Sequence, residues 1–308
     1  MILKWRTVAP ILSSYDDTFG AFTSPTDFGN GVQIAPTSLF PLPPNLAEGF
    51  SARQVFDFTV RKLVFVVDYE DGVGVDDSRR SIPPRFRYQT ASDRIHMLNL
   101  ALWLTRVTPL AQQLHFHLVQ KPGEIAYSEA RLADLWEPIL ATTDHSEGLR
   151  PEDLHTAKAR FENLYALAPG GAVEVAARQL LKALSDSEAA SRYVSLWTAV
   201  EALFAPTSVG ENTHQLAERL AVFLKGRSAN AVETYRQIKV DYDLRSKIVH
   251  GLRVKQRHKE RFPDSLTRSE DWIRLPLAKL ADDPALLATF NDDEERRESY
   301  FLNLVLGP

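Results

Sequence analysis

The chain has 308 residues, 44% of them apolar, enough to bury the cores of two domains and too apolar for a disordered or fibrous protein. It contains no cysteine, which excludes disulfides, thiolate metal sites and a cysteine nucleophile. A formal net charge of -4 creates no global field for nucleic acid, so any such contact has to come from a local basic patch.

The opening residues Met1-Ile2-Leu3-Lys4-Trp5-Arg6 lack the apolar core and small-residue cleavage site of a signal peptide. No run approaches the length of a membrane span, so the expectation is a cytoplasmic protein without membrane contact. Between Val55 and Val67 the alternation of Phe56, Phe58 and Val60, followed by Leu63-Val64-Phe65-Val66-Val67, predicts one or two strands. Prolines between Pro36 and Pro44 predict a loop or extended connection. Ile95, Leu98 and Leu102 recur at helical spacing and predict a helix from Ser92 to about Thr108, stopped by Pro109. Leu114 to Val119 alternates as a strand. Leu132, Leu135, Trp136 and Leu140 then predict a helix from Ser128 to about Thr142, kinked or shortened by Pro138. Residues 1–148 thus read as a mixed α/β domain of unknown type, the expected place for a regulatory partner or ligand.

After Gly148 nearly every segment is helical. Pro151 suits a first helical turn, and Glu152 and Asp153 favour the positive end of its dipole. Four more helices are predicted: Ala172 to Leu184, Ser187 to Phe204, Asn212 to Lys225 and Asn230 to His250. Pro169-Gly170-Gly171, Pro206 and Gly226 separate them, and such short connections make neighbours antiparallel. Next come a basic stretch, a helix from about Ser269, and a charged segment, Asp292 to Arg297. Residues 149–308 therefore read as an all-α bundle with a C-terminal helical extension, and the whole chain as α+β.

On the last bundle helix, Val232, Tyr235, Ile238 or Lys239, Tyr242, Arg245 and Val249 recur every three to four residues. This places Arg245 on the continuation of an apolar stripe, where a guanidinium needs a partner. Lys239, Asp243, Ser246 and His250 form the neighbouring polar stripe. Arg245 and His250 stand roughly 140° apart round the helix, so they converge only where a groove or a second subunit wraps this end. His250 occupies the last turn, before Gly251, where the dipole favours imidazolium and proton exchange near neutral pH. A solvent-exposed helix-capping histidine is the other reading. Spacing does not separate the two, because Arg-x4-His also occurs at Arg150 to His155 and at Arg253 to His258.

Context separates the motifs. The segment Tyr242-Asp243-Leu244-Arg245-Ser246-Lys247-Ile248-Val249-His250-Gly251, preceded by Leu196-Trp197-Thr198-Ala199-Val200-Glu201-Ala202-Leu203-Phe204, closely resembles the signature helices of the Apea-like HEPN family. The resemblance runs from about Arg150 to Leu252. It implies a HEPN helical bundle that forms a homodimer, bringing two Arg-x4-6-His motifs into one cleft. In active members the substrate is RNA: the ribose 2′-hydroxyl attacks the adjacent phosphate without metal. Carried over, His250 transfers protons and Arg245 stabilises the phosphorane charge. A defence or toxin-like role follows only by analogy with the family. Many active members have Asn, Asp or His after the arginine; this chain has Ser246, which cannot buffer a proton at neutral pH. A non-catalytic scaffold that dimerises and binds RNA, nucleotide or a partner protein is the alternative expectation.

Glu201 borders the apolar stripe of its helix and has two readings: an exposed glutamate, or a partly buried carboxylate that orients Arg245 by hydrogen bonds. Tyr242, Asp243, Ser246 and Glu201 are the supporting candidates. Past the motif, Arg253, Lys255, Arg257, Lys259 and Arg261 alternate with other residues, Glu260 being the one acid among them. In extended form one face carries all five charges, which together with Lys247 suits RNA positioning; a solvated loop explains them equally well. His115-Phe116-His117 puts two imidazoles on one strand face without a third ligand, so neither a metal nor another cofactor is expected. Gly170-Gly171 and Gly72-Val73-Gly74 read as turns rather than phosphate loops.

Overall fold

Leu63 to Val67 are each 2% exposed or less, the mark of a strand covered on both faces. A computed structural model shows how they are covered; it describes residues 2–13, 22–40, 51–72, 84–108, 110–111, 114–121, 124–132, 148–167, 170–206, 212–249 and 256–307. The chain divides into two units, Met1–Tyr165 and Ala166–Pro308. The architecture is α+β, with the described strands all in the first unit.

The first unit is built on β1 (Ile2–Pro10), β2 (Leu12–Ser13), β3 (Thr26–Gly29), β4 (Val32–Pro36), α1 (Ala52–Val60), β5 (Leu63–Gly72), α2 (Pro84–Thr105), β6 (Leu110–Ala111), β7 (Leu114–Lys121), β8 (Glu124–Leu132) and α3 (Asp153–Tyr165). Six strands pair antiparallel in the order β3-β4-β5-β1-β7-β8, and β2 pairs with β6. The register sets Trp5 opposite Tyr69, and Thr7 between Val67 and His117. Because side chains alternate along each strand, Val8, Val64, Val66, Phe116 and Leu118 share one face, covered by Phe58 of α1. Thr7, Val67, His115 and His117 fall on the other, where Ser92 of α2 reaches His115. The β3–β4 turn runs through Gly29, Asn30 and Gly31, all with positive φ, and a Cβ at Gly31 would meet the carbonyl oxygen of Asp68 at 2.3 Å.

Two sequence expectations fail here for the same reason. Ala52–Val60 is a helix, not a strand: Phe58 is buried, while Phe56 and Val60, one turn apart, are 62% and 47% exposed. The apparent alternation is a short stretch of a helical pattern. Conversely, Ser128 to Leu132 belongs to strand β8, with Leu132 opposite Leu114; the rest of the helix expected there lies outside the described residues. Pairing with β7 overrides a weak helical spacing. The strand at Leu114 is as expected; the helix carrying the fully buried Ile95, Leu98 and Leu102 is present but runs Pro84–Thr105, starting well before the expected Ser92 and ending short of Thr108. The loop expected from Pro36 starts as the end of β4 and a 3-10 turn, Thr37–Leu39; residues 41–44 lie outside the described residues.

The division between units falls after Tyr165, one helix beyond the change of character at Gly148. α3 belongs to the first unit because Arg106 binds both oxygens of Asp153, at 2.6 and 3.2 Å, and Arg160 donates to the Leu104 carbonyl at 2.7 Å.

The second unit holds α4 (Ala172–Ser185), α5 (Ala189–Phe204), α6 (Asn212–Lys225), α7 (Ala229–Val249), α8 (Gln256–Ala281), α9 (Pro284–Asp292) and α10 (Glu294–Leu306). Helix α5 is its axis, touching α4, α6, α7 and α8. Its Tyr193, Leu196, Trp197, Val200, Leu203 and Phe204 are fully buried. Phe204 meets Phe223 at 5.4 Å and Phe301 at 5.7 Å, so α6 and α10 close one end through aromatic edges. The expected bundle helices match to within two residues at either end for α4 to α6, with Gly226 at φ 62 ending α6; α7 runs as expected through Val249. Helix α8 begins at Gln256, well before the expected Ser269, and holds Pro263 and Pro276 in its interior. Each proline removes a backbone donor, which hides the helix in the sequence while packing maintains it.

Candidate functional site

The buried stripe of α7 is Ala231, Thr234, Ile238, Asp241 and Leu244, not the row of Val232, Tyr235, Tyr242 and Val249. Val232 and Val249 are 51% and 45% exposed. This rotation puts Tyr242 and Arg245 on the flank that meets α5. There Arg245 Nη2 donates to Glu201 Oε2 at 2.9 Å, and the Tyr242 hydroxyl donates to Glu201 Oε1 at 2.6 Å. Both carboxylate oxygens are thus committed, one to each α7 side chain. The Arg245 guanidinium lies 5.6 Å from the Tyr242 ring centre, and that ring sits edge-on to Trp197 at 5.2 Å.

The Arg245 and Glu201 side chains are 20% and 24% exposed, so the pair is partly screened and borders solvent. Of the two readings of Glu201, the partly buried carboxylate holding Arg245 is the one found. Burial, then the hydrogen bond and charge of Glu201, push the Tyr242 phenol up to about 12, which keeps it a donor at neutral pH. Arg245 Nε is buried without a hydrogen-bond partner among the described residues.

The other candidates are less concentrated. Ser246 is partly buried on α7 beside Arg245. Asp243 and Lys247, one turn apart, form an ion pair on the surface of the same helix. His250, Arg253 and Lys255 lie outside the described residues. Positions 257, 259 and 261 are helical, which corrects the extended strip: 257 and 261 are about one helical turn apart, and 259 lies roughly 200° round the axis from 257. Only a strand could align all of them.

A second polar cluster escaped the sequence reading. Asp241, 1% exposed, accepts hydrogen bonds from Ser265 Oγ at 2.7 Å, Arg268 Nη2 and Nε at 2.8 and 3.1 Å, and Trp272 Nε1 at 3.0 Å. Tyr193 donates to the Asp241 carbonyl at 2.6 Å, its phenol pushed up to about 12 chiefly by burial. Above this cluster α7 and α8 leave a groove of about 320 Å³ lined by Gln237, Val240, Asp241, Leu244, Arg261, Asp264, Ser265 and Arg268. Asp241 falls at the core spacing of α7, between Ile238 and Leu244; the one available signal was an acid at an apolar position, and its partners come from another helix.

In the first unit, the His115 and His117 rings stand edge-on with centres 6.1 Å apart. His117 Nδ1 bonds the Thr7 hydroxyl at 2.8 Å, and His115 Nδ1 lies 3.3 Å from Ser92 Oγ. Among the described residues no group of three or more His, Cys, Asp or Glu can hold a metal ion. A polar cavity of about 460 Å³ opens at Lys4, Trp5, Asn30, Gly31, Asp68, Tyr69 and Arg94. Arg94 is fixed there by the carbonyls of Asn30 at 2.7 Å and Asp68 at 3.1 Å. No described helix is long and apolar enough to cross a membrane. Comparison with protein-family models, curated proteins and solved structures finds no match to this chain.

Proposed function

We propose that the second unit is a HEPN-like endoribonuclease, cleaving RNA without metal by attack of a ribose 2′-hydroxyl on the adjacent phosphate. The observation that carries this reading is the seating of Arg245: Glu201 holds Nη2 of the guanidinium, while the side chain as a whole stays one-fifth exposed at the edge of solvent. A cation held this way stabilises charge developing on a phosphorane without reorganising. His250, on the residue after α7, is the proton-transfer group, and two copies of the α7 end form the composite cleft. Arg257, Lys259, Arg261 and Lys247 are the cations that position the strand, and the first unit senses a ligand or partner that gates cleavage. Phage defence or a toxin-like role fits such an enzyme.

Wild-type protein is expected to degrade RNA in EDTA and to leave cyclic phosphate ends, and His250→Ala to abolish both. Undiminished cleavage by His250→Ala removes that residue from the mechanism. A second reading, a non-catalytic HEPN scaffold for RNA, nucleotide or a partner protein, is favoured by the fact that Glu201 already neutralises Arg245 and that α7 exposes Val232 and Val249. It predicts no cleavage across a broad RNA panel, with Arg245→Ala losing binding or dimerisation instead.

A further inference from the structure

The groove between α7 and α8 combines three kinds of wall. Arg268 has Nε and Nη2 bound to buried Asp241, at 3.1 and 2.8 Å. Its position is therefore set from behind, while its side chain remains 34% exposed. Asp264 and Arg261 are exposed on α8, and the Asp264 charge acts on Arg268. Val240, half exposed, and Leu244 supply an apolar side.

The charges do not suit a bare phosphate, because Asp264 stands between the two arginines along α8 and Asp241 already balances Arg268. They suit a planar group with paired acceptors on one edge, paired donors on the next, and an apolar face. Guanine has that pattern: O6 and N7 accept from a guanidinium fork, and N1–H and N2–H₂ donate to one carboxylate. Adenine sets a donor beside N7 and offers no adjacent pair of donors to Asp264. The groove is at the small end of ligand sites, matching one base rather than a stacked run. Unstacked bases of single-stranded RNA are read in this way, by hydrogen bonds on their edges and contact with their faces.

We propose that the α7–α8 groove is a guanine-selective subsite for one unstacked base of single-stranded RNA, with Asp264 reading N1–H and N2–H₂, Arg268 reading O6 and N7, and Val240 lying against the ring. The proposal rests on the RNA reading above but not on catalysis, and it makes Arg268 and Asp264 specificity residues.

The test uses the full chain and short 2′-O-methyl oligonucleotides, which lack the attacking hydroxyl, differing only in one central base. Titration calorimetry should show the guanine oligonucleotide binding roughly tenfold tighter than the adenine one. Asp264→Asn, a change at an exposed residue, should abolish the preference, and Arg268→Lys should weaken it. Equal affinity for guanine and adenine, or a preference that survives Asp264→Asn, overturns the proposal. Guanosine monophosphate serves as the other arm: if it binds as tightly as the oligonucleotide, the site takes a free nucleotide and the RNA assignment falls. Loss of the subsite with EDTA-resistant cleavage intact leaves the ribonuclease reading standing, and loss of cleavage in His250→Ala leaves the subsite standing.

Discussion

Glu201 and Asp241 are two carboxylates of the same bundle with different consequences. Glu201 is a quarter exposed and holds two donors, so Glu201→Gln should cost about 1 kcal/mol in urea unfolding, while releasing Arg245 and lowering any RNA cleavage far more. A variant with full activity removes Glu201 as the positioning residue. Asp241 is buried under Arg268, Trp272 and Ser265, and its loss leaves those donors without an acceptor. Asp241→Ala should therefore cost about 3 to 5 kcal/mol, against less than about 0.5 for exposed Asp243→Ala. Similar values for the two would mean that the Asp241 cluster is not the anchor of α7 to α8.

His115 carries a pH consequence. Burial, followed by the nearby His117 and His96, pushes its imidazole from 6.5 down to about 3. The folded ring is neutral, and the unfolded chain takes up the proton first, so the contribution to stability is complete above about 6.5 and is lost as pH falls toward about 3. Urea midpoints of the first unit should decline across that window, and His115→Gln should make the decline shallower. The same slope in the variant would place the acid lability on other groups.

At the scale of elements, α1 gives the sharpest test of helix against strand. If Phe56, Phe58 and Val60 formed one strand face, truncating any of them would be comparably costly. In the helix, Phe58→Ala removes a buried ring packed at 5.1 Å on Phe116 and should cost about 3 to 4 kcal/mol, whereas Phe56→Ala should cost less than about 0.5. A large loss at Phe56 would contradict the helix. The long bundle helices were legible because their patterns repeat over several turns and end at Gly226 or Pro206. Short elements such as α1 and β8 were not, since two or three apolar residues satisfy either period. Pro263 and Pro276 hid the start of α8 because local propensity argues against a helix that tertiary packing maintains.

For the whole molecule, the proposed composite cleft requires two copies of the second unit. Sedimentation across rising concentration should reveal a reversible dimer, with specific ribonuclease activity rising alongside it. Cleavage by a species that stays monomeric throughout would sink the two-copy site while sparing the roles of Arg245 and His250. With a net charge of -4 the proposed strand-positioning cations act locally, so the RNA binding proposed above should weaken steeply with salt even though bulk charge does not attract the polymer.

The sequence by itself determined the α+β composition, the cysteine-free chemistry and the helices of the bundle, because these follow from residue type and from spacing along one element, and it left Glu201 open between an exposed glutamate and a partner of Arg245. Only the tertiary structure decided that α3 belongs with the sheet, that the buried row of α7 runs through Asp241, and that Arg268, Ser265 and Trp272 converge on it. Those facts depend on which residues of distant segments meet. A carboxylate at a core position looks like a surface residue until the guanidinium, indole and hydroxyl that neutralise it arrive from another helix.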